Sequence, residues 1–346
     1  MHRLRSHLLG FLADLPLTNR AHRSASAKIF PALPIQPSSR SIYTMTTSLI
    51  TDSPFPSKPS SPRPKDHPAA GPSTSISSEA DKVPIVNNLT IPVKDNYGGS
   101  CHGFIHIPAP TTSSDPHDSR VGVILLSGAG GGVTGPSGMY LSLATKMPCL
   151  PKAPMKVLRL DYRFPARTKP CVEDVKAAMG HMSLMGVQQF VLVGWSFGGA
   201  PLFTVAGRDE RVVGAVTVAS QTADALQGAR ESGRRNVPVM LLHGTGDRTL
   251  SERCSKHLHE AWREGYKGRD AQEKAKLVLF EEDDHALTQN AKQAEEMVAE
   301  FIVECAGTKV VDAAQDVVSS ELLGNKEERL DIMREGGDLR GSEKVK

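Results

Sequence analysis

The sequence predicts an α/β fold in which a doubly wound, mostly parallel sheet carries helices on both faces. The first observation is a series of short apolar runs without polar alternation, which is typical of strands buried on both sides. The runs lie near residues 121–127, 156–161, 189–195, 212–219, 237–243 and 276–282. The second observation is that helix-compatible stretches separate the runs, and this alternation predicts right-handed crossovers between parallel strands.

The remaining elements follow from the same patterns. Residues 85–107 read as two antiparallel strands around a turn that contains Gly98 and Gly99. The helical stretches lie near residues 136–147, 171–185, 197–207, 250–264 and 289–305. These elements belong to one predicted domain, residues 83–306.

Both ends of the chain differ from this domain in composition. Residues 1–82 are rich in Ser and Pro and contain too little contiguous apolar sequence to offset the entropy of ordering, so they are predicted to be a disordered leader. Residues 307–346 are charged and contain two short helical patterns. We expect them to form a loosely attached tail.

The leader allows two interpretations. Residues 3–15 combine arginines with leucines at helical spacing, and the leader as a whole is poor in acidic residues, which is typical of a mitochondrial transit peptide. If translation starts at Met45 instead, a cytoplasmic protein with a short disordered arm results. No apolar run approaches the 18 residues or more of a membrane-spanning helix.

The net charge limits the classes of binding partner that the sequence indicates, and the cysteine content limits the kinds of site. The formal net charge is +3 over 346 residues, and basic residues do not cluster with aromatic ones, so neither nucleic acid nor an anionic membrane is indicated. The five cysteines are scattered without a Cys-x-x-Cys pair, which indicates neither a disulfide framework nor a metal site. The oligomeric state stays open.

The most informative motif is Gly-Trp-Ser-Phe-Gly at residues 194–198, directly after a buried-type strand. This is the G-x-S-x-G pattern of a nucleophile elbow, a sharp strand-to-helix turn that holds a serine in a strained conformation. Gly194 and Gly198 leave room where strand and helix nearly touch. The motif makes Ser196 the candidate nucleophile.

Two further candidates follow Ser196 in the order that such a site requires, acid first and histidine second. Asp247 comes after the run 237–243, and His285 comes after the run 276–282. In this interpretation His285 accepts the proton of Ser196, and Asp247 orients the imidazole. Taken singly, Asp247 also fits a turn former and residues 283–285 a solvated loop, while His243 is interpreted as structural.

A glycine-rich loop supplies the donors that a developing oxyanion needs. The run 121–126 opens into Ser-Gly-Ala-Gly-Gly-Gly at residues 127–132. The expected donors are the backbone N–H of Phe197 and that of Ala129 or Gly130. A rival interpretation uses the same stretch, because Gly130 to Gly135 also fits the G-x-G-x-x-G pattern of a dinucleotide-binding oxidoreductase. In that pattern the first glycine follows the strand directly, whereas Gly130 lies three residues later.

With these motifs the chain resembles the α/β-hydrolase superfamily over residues 84–306. It is similar to compact, lidless members of the dienelactone-hydrolase type, with serine in place of the cysteine of that enzyme. The resemblance implies cofactor-free hydrolysis of a small-molecule acyl substrate by an esterase, thioesterase, lipase, peptidase or lactonase. Lidded relatives insert a cap where this chain has only residues 221–236, so we expect an open, shallow site with at most one short helix over it. Many relatives begin the oxyanion loop with His-Gly, whereas this chain has Ser127 and Gly128.

The substrate pocket is less well defined by the sequence. Trp195 and the loop after the run 156–161 should line it, and Arg163 and Arg167 in that loop could bind a carboxylate or phosphate of the substrate. A second hypothesis is that Arg163 and Arg167 belong to a solvated basic loop. For the whole protein, the alternative to an enzyme is an inactive α/β-hydrolase scaffold that binds a protein partner.

Overall fold

The computed structural model of the protein describes residues 83–110, 119–307 and 312–339. The predicted leader, residues 1–82, lies outside the described residues, as does the transit-peptide interpretation that depends on it. Within the described residues, no helix combines the length and apolar character that a membrane crossing requires.

Eight strands form one sheet in the order β1-β2-β4-β3-β5-β6-β7-β8. β1 pairs with β2 and β2 with β4 in antiparallel fashion, and all other pairs are parallel. The strands are β1 (Ile85–Pro92), β2 (Ser100–Ile107), β3 (Val121–Leu126), β4 (Val157–Asp161), β5 (Gln189–Trp195), β6 (Val212–Val218), β7 (Val239–Gly244) and β8 (Ala275–Phe280). The predicted mostly parallel sheet is confirmed.

Nine α-helices lie in the described part of the chain. They are α1 (Met139–Lys146), α2 (Thr168–Leu184), α3 (Gly199–Ala206), α4 (Leu226–Arg234), α5 (Arg253–Gly265), α6 (Ala271–Lys274), α7 (Ala291–Cys305), α8 (Asp312–Ser319) and α9 (Lys326–Glu335). The α4 helix is the one short helix between β6 and β7, and the described residues contain no large cap.

The central strands β3 to β7 are buried on both faces, as their apolar runs predict. The outer strands β1 and β8 are partly exposed, so the run 276–282 is not buried on both sides as expected. In β3, Val123 and Leu125 pack with residues of α1 and α7, whereas Ile124 and Leu126 pack with residues of α2, α3 and α5. Burial of each such side chain contributes about 1.5–3 kcal/mol relative to exposure, so the two clusters account for most of the driving force for folding.

The strand order creates a switch point at β3, which has β4 on one side and β5 on the other. The loops that leave the carboxyl ends of β3 and β5 therefore diverge to opposite faces of the sheet and open a crevice. Ligands of open α/β sheets bind at such a crevice. Residue 127 and Ser196 follow these two strands directly, so the switch point brings the glycine-rich loop beside the candidate nucleophile.

The C-terminal segment, residues 312–339, differs from the expected loose tail. Val318 and Met333 are fully buried and belong to the cluster formed by α1 and α7. Arg329 and Asp338 are also buried, at 5% and 1% exposure. The expectation of loose attachment was wrong. Charged residues dominate the sequence of α9, but Arg329 and Met333 of this helix are buried against the domain.

Candidate active site

Ser196 lies in a sharp turn between β5 and α3. Its φ of 54° is in the left-handed region, which costs a residue with a side chain about 1–3 kcal/mol and persists only where the surroundings enforce it. A Cβ at Gly194 would lie 2.7 Å from the carbonyl oxygen of Gly198, and one at Gly198 would lie 2.6 Å from that of Leu126. The flanking glycines therefore permit the close contact between strand and helix that forces Ser196 into this conformation.

Asp247 follows β7, and its buried carboxylate accepts four hydrogen bonds. The backbone amides of Thr249 and Leu250 donate to Oδ1 over 2.7 and 2.9 Å. His285 Nδ1 lies 2.7 Å and His243 Nε2 3.2 Å from Oδ2. Burial alone would raise the pKa of Asp247, but the hydrogen bonds from His243 and His285 outweigh it and hold the pKa well below its ordinary value. The carboxylate is a fixed negative charge.

The loop that carries His285 is held by the two aspartates before it. Asp283 accepts hydrogen bonds from the amides of Gln289 and Asn290, each 3.0 Å long, and Asp284 accepts one from the Thr288 hydroxyl. All three residues of 283–285 are at most 5% exposed. The hypothesis of a solvated loop was therefore wrong, since these carboxylates serve as internal acceptors for the loop backbone.

His243 is fully buried, and its contacts define its tautomer. Nε2 faces two acceptors, the carbonyl oxygen of Leu250 at 3.1 Å and the Asp247 carboxylate. The proton is assigned to Nε2 because neither acceptor can donate. Nδ1 then accepts a hydrogen bond of 2.7 Å from the hydroxyl of Ser255. The sequence indicated a structural His243, and the structure adds that it donates to the candidate acid.

Trp195 connects the turn that contains Ser196 with the loop that contains His285. The indole N–H of Trp195 donates to the carbonyl oxygen of His285 over 3.0 Å, and the two ring centroids are 5.5 Å apart. Among the described residues no hydrogen bond joins Ser196 Oγ to the His285 ring. Trp195 is 2% exposed, so it braces the histidine loop from within and does not form the pocket wall that the sequence suggested.

The glycine-rich loop folds back beside Ser196. The amide of Gly131 donates to the carbonyl oxygen of Gly128 over 3.1 Å and closes a tight turn, at whose tip Ala129 is exposed. A Cβ at Gly128 would lie 3.5 Å from Ser196 Cβ, so the start of the loop is in contact with the serine turn. The expected donors thus lie on both sides of this contact, Phe197 on the helix side and Ala129 and Gly130 on the loop side.

The return limb of this loop, residues 132–135, contacts charged side chains. Gly132 N–H donates to Asp161 over 3.2 Å, and Thr134 N–H donates to Asp338 over 2.7 Å. Gly135 N–H also donates to Asp338. A dinucleotide pyrophosphate would need amides of this stretch, and they are already bonded to carboxylates of the chain itself. Nothing in the sequence around Asp338 points to this contact.

Arg163 and Arg167 differ in their surroundings. The guanidinium of Arg163 donates to Asp174, to Asp95 and to the carbonyl oxygen of Gly98, and its side chain is 4% exposed. Arg163 is therefore committed to the fold, where it ties the β1–β2 turn to α2, and is not free to bind a substrate carboxylate. Arg167 is exposed, with its guanidinium carbon 5.9 Å from the centroid of the Phe164 ring.

The described residues form an open groove of about 640 Å³ whose lining does not include Ser196, Asp247 or His285. It runs from Thr222 to Arg208, between the start of α2 and the α3–α4 layer. Thr222 follows Gln221, whose amide lies 3.3 Å from the carbonyl oxygen of Ser196. Within the described residues no group of three or more His, Cys, Asp or Glu side chains could hold a metal ion.

Comparison with known proteins agrees with this architecture. The model of the dienelactone hydrolase family matches residues 156–316. A puromycin hydrolase structure aligns with a TM-score of 0.50 at 14% identity, over 65% of this chain and 40% of that one. The esterase domain of a Rhodothermus marinus protein and Est1E from Butyrivibrio proteoclasticus each align with a TM-score of 0.47 at 14% identity, over 63% of this chain and 99% of theirs. No curated protein matches the sequence.

The likeness to the puromycin hydrolase structure, at 14% identity, concerns the fold alone. The family match covers the part of the chain from β4 to α8, which contains Ser196, Asp247 and His285. Together with the sheet order and the switch point at β3, these findings show an α/β-hydrolase fold that is similar to the dienelactone hydrolase family over residues 156–316.

Proposed function

We propose that the protein hydrolyses an ester, thioester or related acyl bond of a small molecule through Ser196, His285 and Asp247. The observation that carries the proposal is the 2.7 Å contact between His285 Nδ1 and the buried Asp247 carboxylate at the sheet edge where Ser196 has its strained φ. A base oriented by an acid beside a serine in such a turn is the arrangement that acyl transfer needs.

In the proposed reaction Ser196 Oγ bonds to the acyl carbon while His285 Nε2 takes its proton. The Asp247 carboxylate stabilises the imidazolium that forms. The oxyanion accepts hydrogen bonds from the amide of Phe197 and from that of Ala129 or Gly130. Collapse breaks the bond to the leaving group, which receives the proton from His285, and water then hydrolyses the acyl-enzyme by the same steps.

His243 contributes as a positioning residue in this scheme. Its Nε2 lies 3.2 Å and the Nδ1 of His285 2.7 Å from the same carboxylate oxygen of Asp247. With four donors around it, the carboxylate cannot rotate without losing hydrogen bonds in the protein interior, where each loss costs about 1–3 kcal/mol. His243 thereby fixes the oxygen that orients His285.

A fluorophosphonate probe, followed by peptide mapping, tests the nucleophile. We expect the adduct on Ser196, no adduct in Ser196→Ala, and full labelling in Ser251→Ala, which changes an exposed serine. Hydrolysis of short p-nitrophenyl esters and acyl thioesters should fall by roughly 10³- to 10⁶-fold in Ser196→Ala.

A fluorophosphonate adduct on a residue other than Ser196 would contradict the proposal. Complete inactivity over the ester and thioester panel, with no labelling of Ser196, would favour the inactive scaffold. In that case the open face should bind a protein partner instead of an acyl substrate.

A further inference from the structure

The return limb of the glycine-rich loop is held by three charged side chains at consecutive peptide groups. Asp161 accepts the N–H of Gly132, and Arg159 donates to the carbonyl oxygen of Val133 over 3.2 Å. Asp338 accepts the N–H groups of Thr134 and Gly135. Arg159 and Asp161 belong to the neighbouring strand β4, whereas Asp338 comes from the C-terminal segment.

The local sequence explains how Asp338 reaches the loop. After α9, Gly337 adopts a φ of 77°, and the amide of Asp338 turns back to the carbonyl oxygen of Met333 over 2.9 Å. This is the Schellman type of helix end, which depends on glycine in the left-handed region. A Cβ at Gly336 would lie 1.7 Å from the hydroxyl of Thr134. The two glycines therefore let the end of α9 lie directly on the loop.

The rest of α9 is anchored beside the same loop. The guanidinium of Arg329 donates to the carbonyl oxygen of Ser137 over 3.0 Å, and the amide of Ser137 lies 3.1 Å from the sulfur of Met333. The side chain of Asn325 caps the start of α9 by accepting the amide of Glu328. Asp338 is thus presented by a helix whose two ends are both fixed.

We propose that Asp338 is a positioning residue of the active site, which holds the oxyanion loop in place from the C-terminal segment. The inference rests on the proposed function and adds a residue to it. The expected donors Ala129 and Gly130 lie in the same loop as Thr134 and Gly135, the residues that Asp338 binds, four to six residues earlier in the chain. The N–H donors of an oxyanion site act only when they are aimed at the place where the negative charge develops.

The Asp338 carboxylate is the acceptor of two consecutive amides of this limb, those of Thr134 and Gly135. The Asp338 carboxylate occupies the space beside Gly132, where a Cβ would lie only 1.8 Å from its Oδ1. Removal of the carboxylate leaves the amides of Thr134 and Gly135, which are buried, without their acceptor. The limb must then move to satisfy them, and the tip with Ala129 moves with it.

The test compares Asp338→Ala, Asp338→Asn and the control Asp331→Ala in the full chain, with p-nitrophenyl acetate as substrate. Asp331 lies on the same helix, and its side chain is 67% exposed. We expect kcat to fall about 10- to 100-fold in Asp338→Ala, with less than a threefold change in KM, because the donors act on the transition state. Asp338→Asn should keep at least a third of the wild-type kcat, since its amide oxygen can accept the same N–H groups. Asp331→Ala should match the wild type.

Amide hydrogen exchange separates this inference from the proposed function. In Asp338→Ala we expect exchange at residues 129–135 to rise at least tenfold while the core strands β3 and β5 keep their protection. If the wild type proves inactive and unlabelled by a fluorophosphonate, the proposed function fails, and the exchange experiment still decides whether Asp338 holds the loop. Unchanged exchange at residues 129–135, or an equal loss of kcat in Asp338→Asn and Asp338→Ala, would overturn the inference.

Discussion

Asp247 and Asp338 are two buried carboxylates at the same edge of the sheet, and both accept two backbone amides. They differ in what else surrounds them. Asp247 also receives hydrogen bonds from two histidines, and its pKa is depressed. Among the described residues no histidine donates to Asp338, and burial raises its pKa to about 7 even though the amides of Thr134 and Gly135 act in the opposite direction.

At Asp338 two amide hydrogen bonds do not offset the effect of burial on the pKa of the carboxyl group. Desolvation disfavours the charged form, and additional donors or a nearby cation must compensate. At Asp247 the histidines supply this compensation. At Asp338 the neighbouring Asp161 raises the pKa further, while Arg159 lowers it. One side of the site therefore keeps a permanent charge, and the other holds a carboxyl group that titrates near neutral pH.

The largest expected effect comes from Asp247→Asn. The amide that replaces the carboxylate carries no charge and presents N–H groups to a histidine that needs an acceptor. We expect kcat to fall about 10⁴-fold, as for other serine hydrolases that lose the acid of the site. Steady-state kinetics on a short p-nitrophenyl ester measure this loss of kcat. A loss below tenfold would show that Asp247 does not orient His285.

The second-largest effect is a pH dependence of the free energy of unfolding, which arises from the titration of Asp338. Its folded-state pKa of about 7 lies above the ordinary 3.8, so its stabilising contribution is fully present below about pH 4 and is lost as the pH rises through 7. The free energy of unfolding of the wild type minus that of Asp338→Asn should fall by about 2–4 kcal/mol between pH 4 and 8.

Urea denaturation at several pH values measures this difference. The charged and titratable groups that face Asp338 are Asp161, Arg159 and Tyr140. Burial lowers the pKa of Arg159 to about 10 and raises that of Tyr140 well above 10, so neither changes its charge in this range. Asp331→Asn, at an exposed site, should show no such trend. A constant difference between wild type and Asp338→Asn from pH 4 to 8 would contradict the prediction.

The third effect concerns the contact between Gly132 of the glycine-rich loop and Asp338. Gly132→Ala places a Cβ 1.8 Å from Asp338 Oδ1 and 2.7 Å from the backbone nitrogen of Asp338, so the end of α9 must move. We expect about a tenfold loss of kcat in the wild-type background and a smaller loss in Asp338→Ala, where the clash with the carboxylate is absent and the clash with the backbone remains.

Gly186→Ala provides the matched control for backbone strain. Gly186 has a φ of 90°, close to the 94° of Gly132, but no atom lies within 4 Å of the position of a Cβ. Both alanine variants should lose a similar amount of stability from the left-handed backbone, about 1 kcal/mol, and only Gly132→Ala should lose activity. Equal activity losses would assign the effect to strain alone.

The smallest effect is expected at Ser255. Ser255→Ala removes the donor to Nδ1 of His243 while the ring keeps its contacts with Leu250 and Asp247. We expect a stability loss of about 1 kcal/mol and at most a threefold decrease in kcat. Thermal denaturation and ester kinetics, beside Ser251→Ala, measure both. A loss of kcat as large as that of Asp247→Asn would mean that His243 does more than position the acid.

Much of the fold was predictable because each strand is a short apolar run with a polar loop after it. Ser196, Asp247 and His285 were found by the same logic, since each follows a strand directly and the order of strands fixes the edge at which they lie. Their roles in catalysis stay a prediction, while the contact between Asp247 and His285 is present in the structure.

The contacts that could not be predicted from the sequence join residues that are far apart in the chain. Neither hypothesis for Arg163, a substrate contact or a solvated basic loop, anticipated its ion pair, because its partner Asp95 lies in the β1–β2 turn, 68 residues earlier. Asp338 lies 204 residues after Thr134, and the Gly-Gly pair before it signals only the end of a helix. The sequence shows the periodicity of an element, but it does not show which element packs across the sheet edge.

The separation of 204 residues between Thr134 and Asp338 also has a consequence for synthesis. A ribosome adds about 5–20 residues per second, so the loop leaves the tunnel roughly 10–40 s before the carboxylate that binds it. Throughout this interval the nascent chain can complete β3, β5 and the serine turn, yet residues 132–135 lack their acceptor. The glycine-rich loop thus acquires its contact with Asp338 only after 204 further residues have been translated.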